Sequence, residues 1–161
     1  MARNEKGFVV PDGVCSDAVI IKNMKNKFGV TRPHVLLIKR KKWPYEGKWA
    51  FPGGHLNEYE EFYDACLRET GEETHADIDP FCSARPFAIR SGRELKDPRG
   101  WYVAAAFLAI IPNETNVNIV PDDDAEGATW AEIDELIASG PDSLAFDHYD
   151  VLDKMVPSHL K

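Results

Sequence analysis

The 161-residue chain has few cysteines, no long apolar run and a shortage of positive charge. Its three cysteines, Cys15, Cys66 and Cys82, are scattered. They form neither a CxxC pair nor a Cys/His zinc spacing, which points to reduced thiols in a cytoplasmic protein. A membrane helix needs roughly 20 consecutive apolar residues, and no stretch comes close, so no membrane partner is expected. The opening "MARNEKGFVVPDG" reads as a short tail over residues 1–13, neither signal peptide nor anchor. Lys and Arg number 19 against 27 Asp and Glu, a net charge of −8. A duplex-binding module ordinarily carries a basic face, so no nucleic-acid partner is expected. The basic cluster "IKRKKW" (Ile38–Trp43) reads as a solvated strand end. There is no internal repeat and no low-complexity tract. What remains is a chain 43% hydrophobic, enough for a packed core, and its length points to one domain over residues 1–161.

Hydrophobic periodicity and turn residues divide the chain into short elements. "SDAVIIKN" (Ser16–Asn23) and "HVLLIKR" (His34–Arg40) read as strands joined through a loop punctuated by Gly29 and Pro33, a candidate hairpin. A short strand is expected at Trp49–Phe51, with a tight turn after it. Glu58–Glu73 has helical apolar spacing. "FCSARPFAIRS" (Phe81–Ser91) and "WYVAAAFLAII" (Trp101–Ile111) read as further strands. A short strand at Trp130, a helix over Ala131–Ser139 and a last helix over Leu144–Val156 complete the pattern. Short strands mixed with two or three helices indicate an α+β or sandwich-like domain.

The segment "RETGEETH" (Arg68–His75) poses a physical problem. Phe62, Ala65 and Cys66 form the buried stripe of a helix, and the stripe continues into Glu69, Glu72 and Glu73. Like charges at i,i+3 and i,i+4 cost roughly 0.2–0.5 kcal/mol per pair. Acids in the last turn also oppose the helix dipole, by roughly 0.3–1 kcal/mol each. A solvated acidic helix end would have to tolerate this. A carboxylate cluster that takes a hard divalent cation would relieve it, since Mg²⁺ binds oxygen ligands, usually one or two carboxylates with substrate phosphates.

The surrounding residues favour the cation. In "GHLNEYEEFYDACLRETGEETHA" (Gly54–Ala76), Gly54, Glu60, Arg68, Glu69, Glu72 and Glu73 are set at the spacing G-x5-E-x7-R-E-U-x-E-E-x-G-U, where U is bulky and aliphatic. This resembles the signature of the Nudix hydrolases, and the lead-in "WAFPGGHL" is similar too. Three positions depart from the pattern. Thr70 stands at an aliphatic place, His75 at the last glycine and Ala76 at the final bulky residue. A helix-ending glycine takes positive φ freely, whereas His does so less well, so a strained or reshaped exit turn is expected.

The resemblance implies an α/β/α sandwich with a mixed sheet, and hydrolysis of a nucleoside diphosphate linked to another group. It makes Glu69 and Glu73 the principal Mg²⁺ or Mn²⁺ ligands and Glu72 a further ligand or candidate base. Glu60 and Arg68 would form a structural pair orienting the helix. Gly53 and Gly54 would let the backbone approach metal and diphosphate closely. In many relatives the base lies on a separate loop; here "PDDDAEGATW" offers Asp124 and Glu126, beside Asp122 and Asp123. "KDPRGWYVAAAFLAII" and "LAFDHYD" resemble the ADP-ribose pyrophosphatase branch, implying cleavage of ADP-ribose to AMP and ribose 5-phosphate. Arg90, Arg93 and Arg99 are candidate grips for the diphosphate or terminal ribose. Phe51, Trp43 and Trp101 could stack on adenine, with core packing the competing role. His55 and His148, of a type more often structural than catalytic, receive no role. Relatives often dimerise, so a homodimer joins the small-molecule nucleotide among expected partners. Two rival readings remain: a nucleoside triphosphate or dinucleotide hydrolase, and a domain that senses ADP-ribose without cleaving it.

Overall fold

Buried on both faces, a strand reads as an unbroken apolar run, and "AVII" is such a run. In the computed structural model, which describes residues 2–119 and 127–161, it lies at the centre of the sheet. Strand β1 (Gly13–Lys25) pairs antiparallel with β2 (Thr31–Lys39) and parallel with β6 (Tyr102–Ile111). The β1–β2 turn is built on Asn26, whose side-chain oxygen accepts the Phe28 and Val30 N–H groups, with Gly29 at φ +76°. The expected hairpin is present, and β2 begins earlier than its apolar run, at Thr31.

Around this centre the strand order is β3 (Trp49–Ala50), β2, β1, β6, β5 (Ala88–Ser91). Strand β4 (Gly53–His55) pairs antiparallel with the start of β1, and β7 (Ala128–Glu132) with β2. The sheet is therefore mixed. Strand β5 is shorter than the expected Phe81–Ser91. Asp79–Phe81 instead forms a 3₁₀ turn, and Pro86, without an N–H, cannot join a ladder before Ala88.

Alternation along β1 sends Val19 and Ile21 to one face and Ala18 and Ile20 to the other. On the first face they pack with Val35, Leu37, Ile133, Val151 and Leu152, beneath α2 (Ile133–Ser139) and α3 (His148–Asp150). On the second they pack with Leu36, Cys66 and Phe107, beneath α1 (Phe62–Thr74). This is the α/β/α sandwich. Three helices are shorter than their apolar patterns. Helix α2 begins at Ile133 instead of Ala131, because Ala131 and Glu132 belong to β7 and pair with β2. The expected Leu144–Val156 helix starts only at His148 and continues as a π-helical turn over Val151–Met155. Phe146, at φ +52°, blocks an earlier start, because left-handed backbone cannot continue into a right-handed helix. Helix α1 starts at Phe62 instead of Glu58, since Tyr59 is also left-handed at φ +61°.

Helix α1 is tied to β1 where the site begins. Ser16 Oγ donates to the Phe62 carbonyl at 2.7 Å, and the Cys66 thiol approaches the Asp17 carbonyl at 3.7 Å. Its buried stripe runs Ala65, Cys66, Thr70 and Thr74. Thr74 Oγ1 donates to the Thr70 carbonyl, but the Thr70 hydroxyl is buried with no partner of its own. Such an orphan costs roughly 1–3 kcal/mol. The helix ends as the sequence predicts, with strain. His75 caps it at φ +58°, its N–H donating to the Gly71 carbonyl at 2.9 Å. Two substitutions should therefore stabilise the chain by about 1 kcal/mol each in urea unfolding: Thr70→Val, by removing the orphan hydroxyl, and His75→Gly, by relieving the left-handed backbone. Loss of stability in either would show that the site tolerates no relaxation there.

Candidate active site

Strand β4 carries the two glycines against which α1 rests. An added Cβ on Gly54 would lie 2.5 Å from the Glu69 carboxyl carbon and 2.6 Å from each of its oxygens. The Glu69 carboxylate thus fills the place a side chain would take. Next to it, the Gly53 N–H donates to Glu73 Oε2 at 3.2 Å. Any side chain on Gly54 would displace Glu69.

Arg68 holds the other carboxylates. Its Nε and Nη2 donate to Glu60 at 2.7 and 2.9 Å, a bidentate pair. Nη1 donates to Glu69 Oε1 at 2.8 Å and approaches Glu72 Oε2 at 3.3 Å, and Nη2 also reaches the His55 carbonyl at 2.9 Å. The structure so brings Glu60, Arg68, Glu69 and Glu72 into one array. The Arg68 hydrogen bonds, with the Asn57 N–H, hold the Glu60 carboxyl down at about 2. Glu72 remains 59% exposed in its side chain, open to water or to a ligand.

Glu73 behaves differently. Burial, opposed by the Gly53 N–H and reinforced by Glu69 and Asp17, pushes its carboxyl up to about 8. Two acids crowded beside bare backbone, one of them reluctant to ionise, are what a hard cation would neutralise. Among the described residues no three ligating side chains are already converged on one point. Arg68 occupies Oε1 of Glu69 and leaves Oε2 available to a cation. The oxygen-only donor set and the side-chain-free cradle fit a divalent cation of the Mg²⁺ class.

A cavity of about 210 Å³ opens beside the glycines. Its walls include Phe51, Gly53, Gly54, Arg90 and Arg99 from the sequence expectations, together with Asp17, Arg40, Asp97, Tyr102 and Phe146, which those expectations missed. Arg99 is bound by Asp97 at 2.9 and 2.6 Å, and its guanidinium lies 4.4 Å from the Tyr102 ring centre. Arg40 was expected at a solvated strand end. Instead its Nε donates to the Pro44 carbonyl at 2.7 Å, and its guanidinium lies 4.8 Å from the Phe146 ring centre.

The other expected residues are placed as follows. Arg90 does not present a free guanidinium to a diphosphate. It is 6% exposed and donates to both Asp147 oxygens, to Asp17 and to the Ala104 carbonyl. Arg93 is exposed on a 3₁₀ turn and does not line the cavity. Phe51 lines the cavity but is buried, and its ring stacks on His148 with centres 4.5 Å apart. Trp43 and Trp101 lie outside the cavity wall. Asp122, Asp123, Asp124 and Glu126 fall outside the described residues. The missed acid Asp17 carried one sequence signal, a charge set against the apolar run of a central strand.

In chain freed of cations by chelation, the raised Glu73 carboxyl sets a pH dependence. The unfolded chain releases this proton in the ordinary carboxylate range, whereas the folded chain holds it to about 8. The contribution to stability is therefore full at acid pH and is lost as pH rises toward 8. Urea unfolding of wild type against Glu73→Gln across that window should show wild type losing stability relative to the variant, and added Mg²⁺ should restore it. Parallel profiles would contradict the buried placement of Glu73.

A NUDIX domain model matches residues 16–155. Among curated proteins, an ADP-ribose pyrophosphatase of Methanocaldococcus jannaschii is 33% identical over 119 residues, 73% of this chain and 63% of that protein. An ADPR-responsive transcriptional repressor, NtrR, of Acinetobacter baylyi is 30% identical over 122 residues, 74% of this chain and 45% of that protein. The chain thus spans between about half and two thirds of these relatives' own lengths. A bifunctional NMN adenylyltransferase/ADP-ribose pyrophosphatase from Francisella tularensis, solved with AMP and a manganese ion, superposes with TM-score 0.71 at 25% identity, covering 91% of this chain and 42% of that one. With the domain match extending from β1 to the final helical turn, and the glutamates of α1 set against the paired glycines, the chain belongs to the Nudix family.

Proposed function

We propose that the chain hydrolyses the diphosphate bond of a nucleoside diphosphate linked to another group, with ADP-ribose as the substrate and Mg²⁺ or Mn²⁺ as the cofactor. The products are AMP and ribose 5-phosphate. The observation that carries this reading is the pair Glu69 and Glu73, held against Gly53 and Gly54, whose side-chain-free backbone lines the cavity. The named activity of the Methanocaldococcus relative and the AMP and manganese of the Francisella structure support the choice of substrate and metal.

Glu69 and Glu73 would hold the cation, with Glu72 completing the set from its exposed position. A divalent ion bound there neutralises diphosphate charge and makes a bound water more acidic. The chain's own residues do the rest. Arg68 fixes Glu69 and Glu60 relative to each other. The Gly53 N–H orients Glu73. Arg40, bound to the Pro44 carbonyl and resting on Phe146, gives the far wall of the cavity a cation suited to phosphate oxygens, while Asp97 pairs Arg99. Glu72, Asp124 and Glu126 are the candidate proton acceptors. No helix among the described residues is long and apolar enough to cross a membrane, and the three free cysteines fit a reducing, cytoplasmic setting.

A second reading is a sensor that binds ADP-ribose without cleaving it, favoured by the similarity to the Acinetobacter repressor. The intact glutamates favour catalysis. A panel of ADP-ribose, NADH, a dinucleoside polyphosphate and 8-oxo-dGTP with Mg²⁺, read as AMP or phosphate release, separates the readings. ADP-ribose should be cleaved fastest, and Glu73→Gln should lower kcat at least about a hundredfold, the scale of losing one preorganised electrostatic group. Tight ADP-ribose binding without turnover would establish the sensor, and faster triphosphate cleavage would displace ADP-ribose as substrate.

A further inference from the structure

Under the glycine turn lies a buried polar network that the family signature does not contain. Asp17 is opposite Gly53 in the β1–β4 pairing, and the Ala18 N–H donates to the Pro52 carbonyl at 2.8 Å. A Cβ on Gly53 would lie 2.5 Å from Asp17 Oδ1, so the Gly53 backbone sits directly on that carboxylate. The N–H of the same Gly53 donates to Glu73. The Asp17 carboxylate meets Gly53 and the Gly53 N–H meets Glu73, so the carboxylate reaches Glu73 through Gly53.

The charge count of the network is uneven. Arg90 serves two carboxylates, Asp17 at 3.2 Å and Asp147 at 2.8 Å. His148 Nδ1 accepts the Phe51 N–H at 3.0 Å, so the proton of the neutral ring is on Nε2, 3.7 Å from Asp17 Oδ2. Two carboxylates thus share one guanidinium, and Asp17 has the longer of the two contacts. Burial alone would raise the Asp17 carboxyl, but His148 and Arg90 hold it below the usual carboxylate range. The packing of β1 does not call for an acid here. Its next four residues, Ala18–Ile21, are apolar and buried, and a buried charge is costly even when paired.

We propose that Asp17 is a positioning residue of the cation site: its carboxylate seats the Gly53 backbone against Glu73 and gives the cavity floor a negative charge that α1 does not supply. This rests on the reading that Glu69 and Glu73 hold a divalent cation. Asp17 then sets cation affinity and leaves recognition of the nucleotide to the far wall. Asp147 shares Arg90, whereas the atoms closest to a Gly53 Cβ belong to Asp17 and Ser16, so Asp147 provides the control for damage to the network alone.

The test is Mn²⁺ titration of the full chain without nucleotide, followed by the electron paramagnetic resonance of free Mn²⁺. Asp17→Asn should weaken Mn²⁺ binding about tenfold, the scale of losing an outer-shell partner. Asp147→Asn should lose comparable stability and bind Mn²⁺ within about twofold of wild type on that same scale. In turnover, Asp17→Asn should need more Mg²⁺ for half-maximal rate, with kcat recovered at saturating Mg²⁺ and KM for ADP-ribose unchanged. If Asp17→Asn folds poorly, Asp17→Glu keeps the charge and pushes it into the Gly53 contact, and it too should weaken Mn²⁺ binding. Wild-type affinity in these Asp17 variants, or equal weakening in Asp147→Asn, overturns the proposal. Failure of wild type itself to bind Mn²⁺ overturns the cation reading and this proposal with it.

Discussion

Every part of the site depends on the close approach of the α1 glutamates to the backbone of Gly53 and Gly54. No residue with a Cβ fits at Gly54 while Glu69 keeps its place. The approach is possible because β4 pairs with the start of β1, and because α1 is pinned to that same start by Ser16 and Cys66. Sheet and helix therefore meet at one point. The acids that local helix energetics disfavour are gathered there by tertiary contacts, which outweigh a few tenths of a kcal/mol per like-charge pair.

Arg68 makes that crowding bearable in the absence of a cation. One guanidinium reaches Glu60, Glu69, Glu72 and the His55 carbonyl. It leaves Glu73, the most buried of the cluster, to the Gly53 N–H. The division gives the two principal acids different characters. Glu69 is bound by an arginine, whereas burial makes Glu73 resist ionisation until positive charge arrives. The same helix carries two local faults, the orphan hydroxyl of Thr70 and the left-handed His75. Both adjoin the acids, where strain is concentrated in functional sites.

The parts of this arrangement legible in the sequence were those written in local pattern. The apolar runs of β1, β2 and β6 and the hairpin at Asn26 follow from period and turn chemistry. The strained exit at His75 follows from a missing glycine. The fixed spacing of Gly54, Glu60, Arg68 and the glutamates points to the pairing of helix and turn. What stayed hidden depends on long-range partners. Arg90 is 57 residues from Asp147 and 73 from Asp17, and nothing near it in sequence reveals that its guanidinium is committed. Arg40 sits among exposed-looking lysines, yet Phe146 gives it a surface to rest on. The last helix is shorter than its apolar spacing implies, because that spacing does not register a left-handed residue such as Phe146.

The central claim is that divalent cations reside among the carboxylates of α1. Crystals of the full chain grown with Mn²⁺ and ADP-ribose, measured at the manganese absorption edge, test it most directly. The account predicts anomalous density within coordination distance of both Glu69 and Glu73. Manganese bound elsewhere, with Arg68 still closing over Glu69 and the nucleotide seated in the cavity, would contradict it.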